Sequence, residues 1–480
     1  MSSNARSTFE SSQPDPLLLV YQKYYTRTLT KIRSNVIPSS FDEKAELHAH
    51  IVRTRKDLDS CTEDTTRDHI SKTLELQESL LAPIRTLPSE ILNEIFQLVV
   101  GFEPWIRYVT LTGRSRKSTA RKISGTAFLL TWVCVWWRNE ALLQPAFWSC
   151  IDVRFRPRCK DPHHSFEVLE FLKECILRSG SYAPMKITID LDYDDHQAIS
   201  PTRLDALEML VERADKWRTL TLNAYGRPNF PLQLIDLFDA KHARTPSVPL
   251  FPLLEDLKLT LRRYNPPSLE RMFHYFPPVQ SLEISSLFET DTVNLELLWK
   301  LRIHIYTGYS LAGLLRKCPS LKYLKVSCFA RRHSTSAISS IDTRVISHPL
   351  VSRLEVGSID GNFQYGAWSF VCLPSLTQLD VAVSGERGLE AMAELGVPLI
   401  ELKVMIQHSK CTLEKVNLNL DPDTGSYSPG HALQTAEKFF ENLPAPYFSL
   451  WVNSMLWPVW REDRESDLKL YSMFLEAAGF

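Results

Sequence analysis

The sequence has almost no net charge, no paired cysteines and no long apolar run, and each lack removes a class of protein. Lys and Arg total 55 against 56 Asp and Glu, a formal net charge of −1, so no global field steers the chain toward nucleic acid or an anionic membrane. The nine cysteines (Cys61, Cys134, Cys150, Cys159, Cys175, Cys318, Cys328, Cys372, Cys411) form no C-x-x-C pair and are odd in number. That argues against a disulfide framework and for a reducing cytoplasm or nucleus. The longest apolar runs, near Leu17–Tyr21 and Thr126–Trp137, fall short of the roughly 20 residues that cross a bilayer. The opening M-S-S-N-A-R-S-T-F-E lacks the apolar core of a secretory signal, and no membrane association is expected.

Metal motifs also fail. Cys159, His163 and His164 are ligand types, but no second pair stands at zinc-finger spacing. Asp190 to His196 (D-L-D-Y-D-D-H) begins like a calcium loop, yet Asp195 stands where Gly is required and Pro201 where an acid is required. A polar loop after the strand Lys186 to Leu191 is expected there, and neither a metal nor another cofactor is expected anywhere.

The chain has 480 residues, enough for two or three units at about 150 residues each. Its 44% hydrophobic and 23% charged content is that of an ordinary globular protein. Residues 1–40, rich in Ser, Pro and Asn around a short apolar run, are expected to be largely disordered. Over 41–82, Leu47, Ile51, Thr54, Leu58, Cys61 and Thr65 follow a 4-3 spacing that resumes after a skip at Ile70, Leu74, Gln77 and Leu81. This seam suits either weak self-association or a helix folding back on its own chain. Its Thr, Cys and Gln positions weaken the first reading.

The organising stretch comes in two halves. Pro83 to Phe96 reads P-I-R-T-L-P-S-E-I-L-N-E-I-F, with Leu87, Ile91, Leu92, Ile95 and Phe96 three to five apart on a short helix opened by Pro88 and Ser89. Trp132 to Trp148 reads W-V-C-V-W-W-R-N-E-A-L-L-Q-P-A-F-W and places Val133, Cys134, Trp137 and Trp148 among polar residues. Three short helices cannot bury this much Trp, Phe and Leu surface by themselves, so a partner surface is expected. The ordered motifs L-P-x-E-I-L-x-x-I-F, V-C-x-x-W-R and F-W resemble an F-box, over Pro83 to Ile151.

The resemblance implies an all-helical unit, 83–151, that docks to the Skp adaptor of a cullin-RING ubiquitin ligase. Leu87, Pro88, Ile91, Leu92, Ile95 and Phe96 would meet the adaptor, with Val133, Cys134, Trp137 and Trp148 packing or extending that surface. The linker 101–128 is longer than a plain F-box needs. It holds Arg107, Arg114, Arg116, Lys117, Arg121 and Lys122 against Glu103 alone, which suits a nuclear import signal, an acidic-partner site, a phosphorylation segment or a solvated insertion, the last being favoured. Only Trp105 and Tyr108 accompany the basic run, both ahead of its dense part, so stacking on nucleic acid is not expected.

From residue 152 to 480 a unit of proline, apolar pair and short strand recurs. It appears as P-L-L-E-D-L-K-L at Pro252, P-V-Q-S-L-E-I at Pro278, P-S-L-K-Y-L-K-V at Pro319, P-L-V-S-R-L-E-V at Pro349, P-S-L-T-Q-L-D-V at Pro374 and P-L-I-E-L-K-V at Pro398. With Leu257, Leu282, Leu301, Leu324, Leu354, Leu379 and Leu402 taken as equivalent, the spacings run from 19 to 30 residues, as in leucine-rich repeats. Helical segments such as Leu269 to Phe276 and Leu389 to Leu395 separate the strands. The expected fold is therefore α/β: a helical front followed by an irregular leucine-rich-repeat solenoid of parallel strands, whose stacked units share one core and whose C-terminal segments cap it. Leu257, Leu259, Leu282, Ile284, Leu324, Val326, Leu354, Val356, Leu379 and Val381 should point inward.

Two outward columns follow from the alternation of strand side chains. One reads Lys258, Glu283, Arg302, Lys325, Glu355, Asp380 and Lys403, mixed signs that suit a surface ladder. The other reads Thr260, Ser285, His304, Ser327, Gly357, Ala382 and Met405, small enough for a ligand to approach, and is favoured as the recognition strip. G-Y-S-L-A at Gly308 to Ala312 imitates a nucleophile elbow with Ser310, and Asp342 and His348 as triad partners. It falls in register with the repeat, however, and Ala312 stands where the motif prefers Gly. The expected function is a non-enzymatic substrate adaptor for an unknown protein target, in the cytoplasm or nucleus. The rivals are a repeat scaffold outside any ligase and a Ser310 hydrolase.

Overall fold

The computed structural model describes residues 16–33, 36, 38, 40–100, 106–110, 121–155, 162–191, 201–224, 230–244, 246–261, 266–288, 291, 293–308, 311–329, 345–357, 368, 370–384, 397–421, 447–452 and 455–459. Among these the fold is mixed α/β, with thirteen α-helices and ten parallel strands in one sheet. The chain divides into two units, Met1–Val109 with Arg121–Asp152 and Lys173–Ala183, and Thr110–Ala120 with Val153–Leu172 and Pro184–Phe480. No described helix is long and apolar enough to cross a membrane.

The first unit is mainly helical. Helix α1 (Pro16–Arg33) occupies a segment expected to be disordered. Its Tyr21, Thr28 and Ile32 fall seven and four apart and are buried, and packing of that stripe offsets the cost of ordering the chain. Helix α2 (Phe41–Ser60) opens with a capping box between Ser40 and Glu43. It ends before α3 (Asp64–Leu80), so the 4-3 spacing passes from Cys61 to Thr65 across a break between two helices, and the skip from Thr65 to Ile70 lies inside α3. Tyr21 Oη donates to Asp57 at 2.6 Å, and Thr54 donates to Gln77 Oε1 at 3.1 Å. Ile51, Thr54, Ile70 and Gln77 of the seam are buried within the chain. The seam is thus filled by the chain folding back.

A 3-10 turn (Pro83–Thr86) leads into α4 (Ser89–Val100). Neighbouring strands β1 (Ile106–Thr110) and β2 (Arg121–Ser124) then flank residues 111–120, which lie outside the described residues. Part of the expected insertion 101–128 is therefore strand, and its last residues begin α5 (Thr126–Val133), followed by α6 (Val135–Leu142) and α7 (Pro145–Trp148). Strand β3 (Cys150–Phe155) and helix α8 (Pro162–Arg178) each cross the division between units.

In the second unit, β4 (Met185–Leu191), α9 (Pro201–Val211), β5 (Trp217–Ala224), α10 (Phe230–Arg244), β6 (Asp256–Leu261), α11 (Pro266–Tyr275), β7 (Ser281–Phe288), β8 (Lys300–Thr307), α12 (Leu311–Lys317) and β9 (Tyr323–Phe329) follow in order. A small pair, β10 (Ile346–Ser347) with β12 (Val371–Cys372), lies apart from the main sheet. Strands β11 (Arg353–Val356) and β13 (Gln378–Ser384), helix α13 (Val397–Ser409), β14 (Lys415–Asp421), β15 (Tyr447–Val452) and β16 (Met455–Val459) complete it. Strands β4 to β9, β11 and β13 to β15 pair in parallel in chain order, and β16 closes the edge antiparallel to β15.

The repeat has a local cause. Phe251–Leu254, Cys318–Leu321 and Leu373–Leu376 each close a turn from the fourth residue's N–H to the first carbonyl, at 3.3, 3.1 and 3.2 Å. Proline at the second position presets that turn. Each turn delivers a buried leucine, Leu254, Leu321 or Leu376. Just ahead of each strand, a backbone N–H reaches the preceding unit: Gln280 to Glu255, Trp299 to Gln280, Lys322 to Trp299, Ser352 to Lys322 and Thr377 to Ser352, all at 2.8–3.0 Å. Register is thereby set before pairing begins.

Leu257, Leu282, Leu301, Leu324, Leu354 and Leu379 pair successively across the sheet as expected. All ten residues expected to point inward are 2% exposed or less. The seventh equivalence is wrong: Leu379 pairs with Val416, and Leu402 lies on α13. Leu402, Met405, Ile406 and Ser409 are buried at helical spacing, and Pro398 sits in the first turn, where proline is tolerated. The Leu389 to Leu395 segment and most of the expected cap, His431 to Trp451 and Asp467 to Ala478, lie outside the described residues. Trp451 lies on β15, which extends the sheet.

Leu354→Ala is expected to cost about 2–5 kcal/mol through the cavity it leaves. Gly357→Ala is expected to cost about 1–3 kcal/mol by overpacking, because its Cβ would stand 2.6 Å from Ser327 Cα. Urea unfolding measures both, and an unchanged midpoint contradicts the packing described.

Candidate interaction surfaces

The residues singled out from the sequence fall on two surfaces, one in each unit. In the helical unit, Leu92 N–H bonds Pro88 carbonyl at 3.0 Å and fixes the start of α4. Ser89 Oγ donates to Glu140 at 2.9 Å and ties α4 to α6. Cys134 ends α5 and starts α6, its Sγ accepting from Trp137 N–H at 3.4 Å, while Arg138 Nε donates to Thr131 carbonyl at 2.9 Å. The Phe96 ring meets Trp137 edge-on at 4.9 Å. Trp148 meets Phe128 edge-on at 5.6 Å, donates Nε1–H to Ala141 carbonyl at 3.0 Å and lies 4.7 Å beneath the Arg178 guanidinium.

The expected adaptor-facing set therefore divides. Leu92 and Phe96, expected to meet the adaptor, are fully buried, and the correction is that they form the core of the unit; Trp148, expected to pack or extend that surface, is buried with them in the packing role. Leu87, Ile95, Cys134 and Trp137 are half-buried, and Pro88, Ile91 and Val133 are exposed. Reading from sequence missed Leu98 and Val99 on α4, Leu129 and Trp132 on α5, and Leu143 after α6, each more than half exposed. The signal was present: Ala127, Phe128, Leu129, Leu130, Trp132 and Val133 make α5 apolar nearly all round, and one buried stripe cannot cover such a helix. On α4, Ile91, Ile95 and Leu98 share one face while Leu92 and Phe96 take another.

The second surface is the face of the parallel sheet opposite the buried leucine line. Its central column is ion-paired across strands. Glu283 takes Lys258 at 2.5 Å and Arg302 at 3.5 Å. Glu355 takes Lys325 at 2.9 Å and Arg353 at 2.6 Å, and Arg353 also reaches Asp380 at 3.1 Å. Asn417, which replaces the expected Lys403, donates to Asp380. Lys403 lies on α13. The mixed column is thus a ladder closed on itself, each exposed pair contributing about 0–1 kcal/mol.

The neighbouring column keeps Thr260, His304 and Ser327 on the open face, with His304 exposed. Ser285 instead serves the fold: pairing of β6 with β7 stops at Leu259 and Ile284, and Ser285 Oγ bonds both the N–H and the carbonyl of Leu261 at 2.9 Å. Gly357 is small because the Ser327 backbone crowds it. Met405 is a correction. It is buried on α13 and cannot reach this face, and Asn419 stands beside Ala382 in its place.

Of the hydrolase constellation, Ser310 and Asp342 lie outside the described residues, and buried His348 holds its Nε2 2.8 Å from Cys318 carbonyl. Asp190, on β4, is in an ion pair with Arg154 at 3.4 Å, and the acidic stretch from residue 192 lies outside the described residues. The eight described cysteines are free thiols, and burial pushes Cys175 and Cys318 up to about 12. The chain matches no protein-family model and no curated protein.

Burial pushes the Glu283 carboxyl up, but the Lys258 ammonium and the Arg302 guanidinium outweigh it and hold it below 4.5. Glu355 is likewise raised by burial and brought lower overall by Lys325, by a hydrogen bond with Tyr323 and by Arg353. A depressed carboxyl contributes stability above its unfolded pKa and loses it as pH falls through the folded one. Stability of the sheet unit should therefore decline below pH of about 4.5. Glu283→Gln with Glu355→Gln should flatten that decline in urea titrations, and an unchanged slope contradicts the ladder's contribution.

Proposed function

We propose that the chain is an F-box substrate adaptor, which docks to the Skp adaptor of a cullin-RING ubiquitin ligase through its helical unit and holds a target protein on a leucine-rich-repeat solenoid. The observation that carries the reading is the exposed apolar set Ile91, Leu98, Val99, Leu129, Trp132 and Val133 on α4 and α5. It lies within the stretch whose motifs resemble an F-box, and the core beneath it is already complete with Leu92, Phe96, Phe147 and Trp148. An apolar surface left over by a finished core fits a partner. A stable interface there would cover on the order of 1,600 Å² in total.

The solenoid reading is supported by strands that pair in chain order, by the recurring proline turn and by the backbone link from each unit to the one before. The open sheet face then serves as the target-binding side. No chemistry is assigned to either surface, since an adaptor works by holding two partners at once.

The test is capture of a purified Skp adaptor by the full-length chain. Ile91→Lys with Leu98→Lys should weaken capture at least about tenfold, as expected for charges placed in an apolar interface, with an unchanged thermal melt. Phe96→Ala should lose both capture and about 3–5 kcal/mol of stability. If the Lys pair leaves capture intact, the adaptor reading fails and a scaffold whose helical unit packs only on itself takes its place.

A further inference from the structure

Helix α1 carries two stripes at 3-4 spacing, and the fold uses one of them. Leu18, Tyr21, Tyr25, Thr28 and Ile32 form the inner stripe, buried at Tyr21, Thr28 and Ile32 and half-buried at Leu18 and Tyr25. The helix packs on α3, and Tyr21 reaches Asp57 of α2. The outer stripe runs one residue earlier, through Leu17, Val20, Tyr24, Arg27 and Lys31, and all five are exposed. On its α2 side the Tyr24 ring stands 6.0 Å from His50, which Glu46 reaches at 3.9 Å. A stripe of this spacing is the seam against which a second helix packs.

The outer stripe is graded, apolar over its first half and basic over its second. The whole helix holds Lys23, Arg27, Lys31 and Arg33 and no acidic residue. The helix dipole accounts for Lys31 and Arg33 in the last turn, but not for Arg27 further in. This gradient decides what can cover the stripe. A second copy of it fits in neither orientation. Laid parallel, it sets Arg27 and Lys31 against their own images; laid antiparallel, it sets those cations against Leu17 and Val20. A lipid surface calls for an apolar face along the helix with cations on the opposite side, whereas here the cations take over the stripe itself. A helix whose own stripe is apolar at one end and acidic at the other matches it throughout.

We propose that the outer stripe of α1 docks an amphipathic helix of a partner protein, antiparallel, with acidic residues against Arg27 and Lys31 and apolar residues against Leu17, Val20 and Tyr24. The antiparallel arrangement puts those acids in the first turns of the partner helix, where its dipole favours them. Exposed ion pairs add little affinity, so the apolar half supplies most of the binding and the charged half sets orientation and selectivity. The stripe shares no residue with the surface proposed for the Skp adaptor or with the sheet face, and it is a third contact in addition to those two.

The test uses the full-length chain and a fluorescein-labelled helical peptide of about three heptads, followed by fluorescence anisotropy. The peptide carries Glu at the contact positions of its first half, Leu at those of its second half, and Ala and Gln elsewhere. It should bind at least about tenfold more tightly than a peptide of the same composition in which Glu and Leu alternate along the contact stripe. Val20→Asp should weaken binding at least about tenfold, as a charge placed in the apolar half. Arg27→Glu with Lys31→Glu should weaken it at least about fivefold and bring the same gain to a peptide with Lys in place of Glu. A merely structural role for the two cations would give no such exchange. Thermal melts are expected to be unchanged, since the stripe is exposed; should Val20→Asp alter the melt, the charge exchange alone decides. No binding up to tens of micromolar peptide, equal affinity for the alternating peptide, or no gain for the Lys peptide would overturn the proposal. So would a concentration-dependent dimer that Val20→Asp abolishes, or binding to phosphatidylserine vesicles through Arg27 and Lys31 where the peptide does not bind.

Discussion

The constraint on which the second unit depends is the parallel register that places one leucine of each strand beside the leucine of the next. Leu257, Leu282, Leu301, Leu324, Leu354 and Leu379 form a single buried line. Because strand side chains alternate, fixing that line also fixes everything on the other face. A slip of one residue would bury Lys258, Glu283, Arg302, Lys325 and Glu355 and expose the core. The proline turns and the backbone links before each strand prevent the slip, and they do so locally, one unit at a time.

The same alternation produces the open face. There the charged column is satisfied by its own neighbours, from Lys258 through Glu283 to Arg302 and from Lys325 through Glu355 to Arg353 and Asp380. A ladder closed in this way gives little field of its own. At the centre Tyr323 lies between the guanidiniums of Arg302 and Arg353, beside a column kept low by Gly357.

The helical unit solves a different problem. Its α4 and α5 carry more apolar residues than two short helices can hide, and Leu92, Phe96 and Trp148 take the interior while Ile91, Leu98, Leu129 and Trp132 are left outside. Sequence pattern made the surplus plain, because seven apolar residues on a twelve-residue helix cannot share one stripe. It did not say which residues would be left out. That choice depends on where α6 and α7 put Trp137, Phe147 and Trp148, a long-range matter that spacing along one helix does not contain. The inward line of the sheet was legible for the opposite reason, since strand alternation and the P-x-L turn are local. Leu402 misled because P-L-I-E-L-K-V fits a strand unit over seven residues, and only the longer run to Ser409 shows helical spacing. Helix α1 was missed because its polar flanks dominate the composition around Tyr21, Thr28 and Ile32.

An adaptor of the kind proposed needs both surfaces to be free at once, and its central claim concerns the helical one. Isothermal titration of the purified full-length chain with a purified Skp adaptor tests it most directly. The account predicts a one-to-one complex whose binding enthalpy becomes more negative with temperature, the heat-capacity signature of burying apolar surface. Absence of binding at adaptor concentrations of tens of micromolar, or binding with no heat-capacity change, would contradict it.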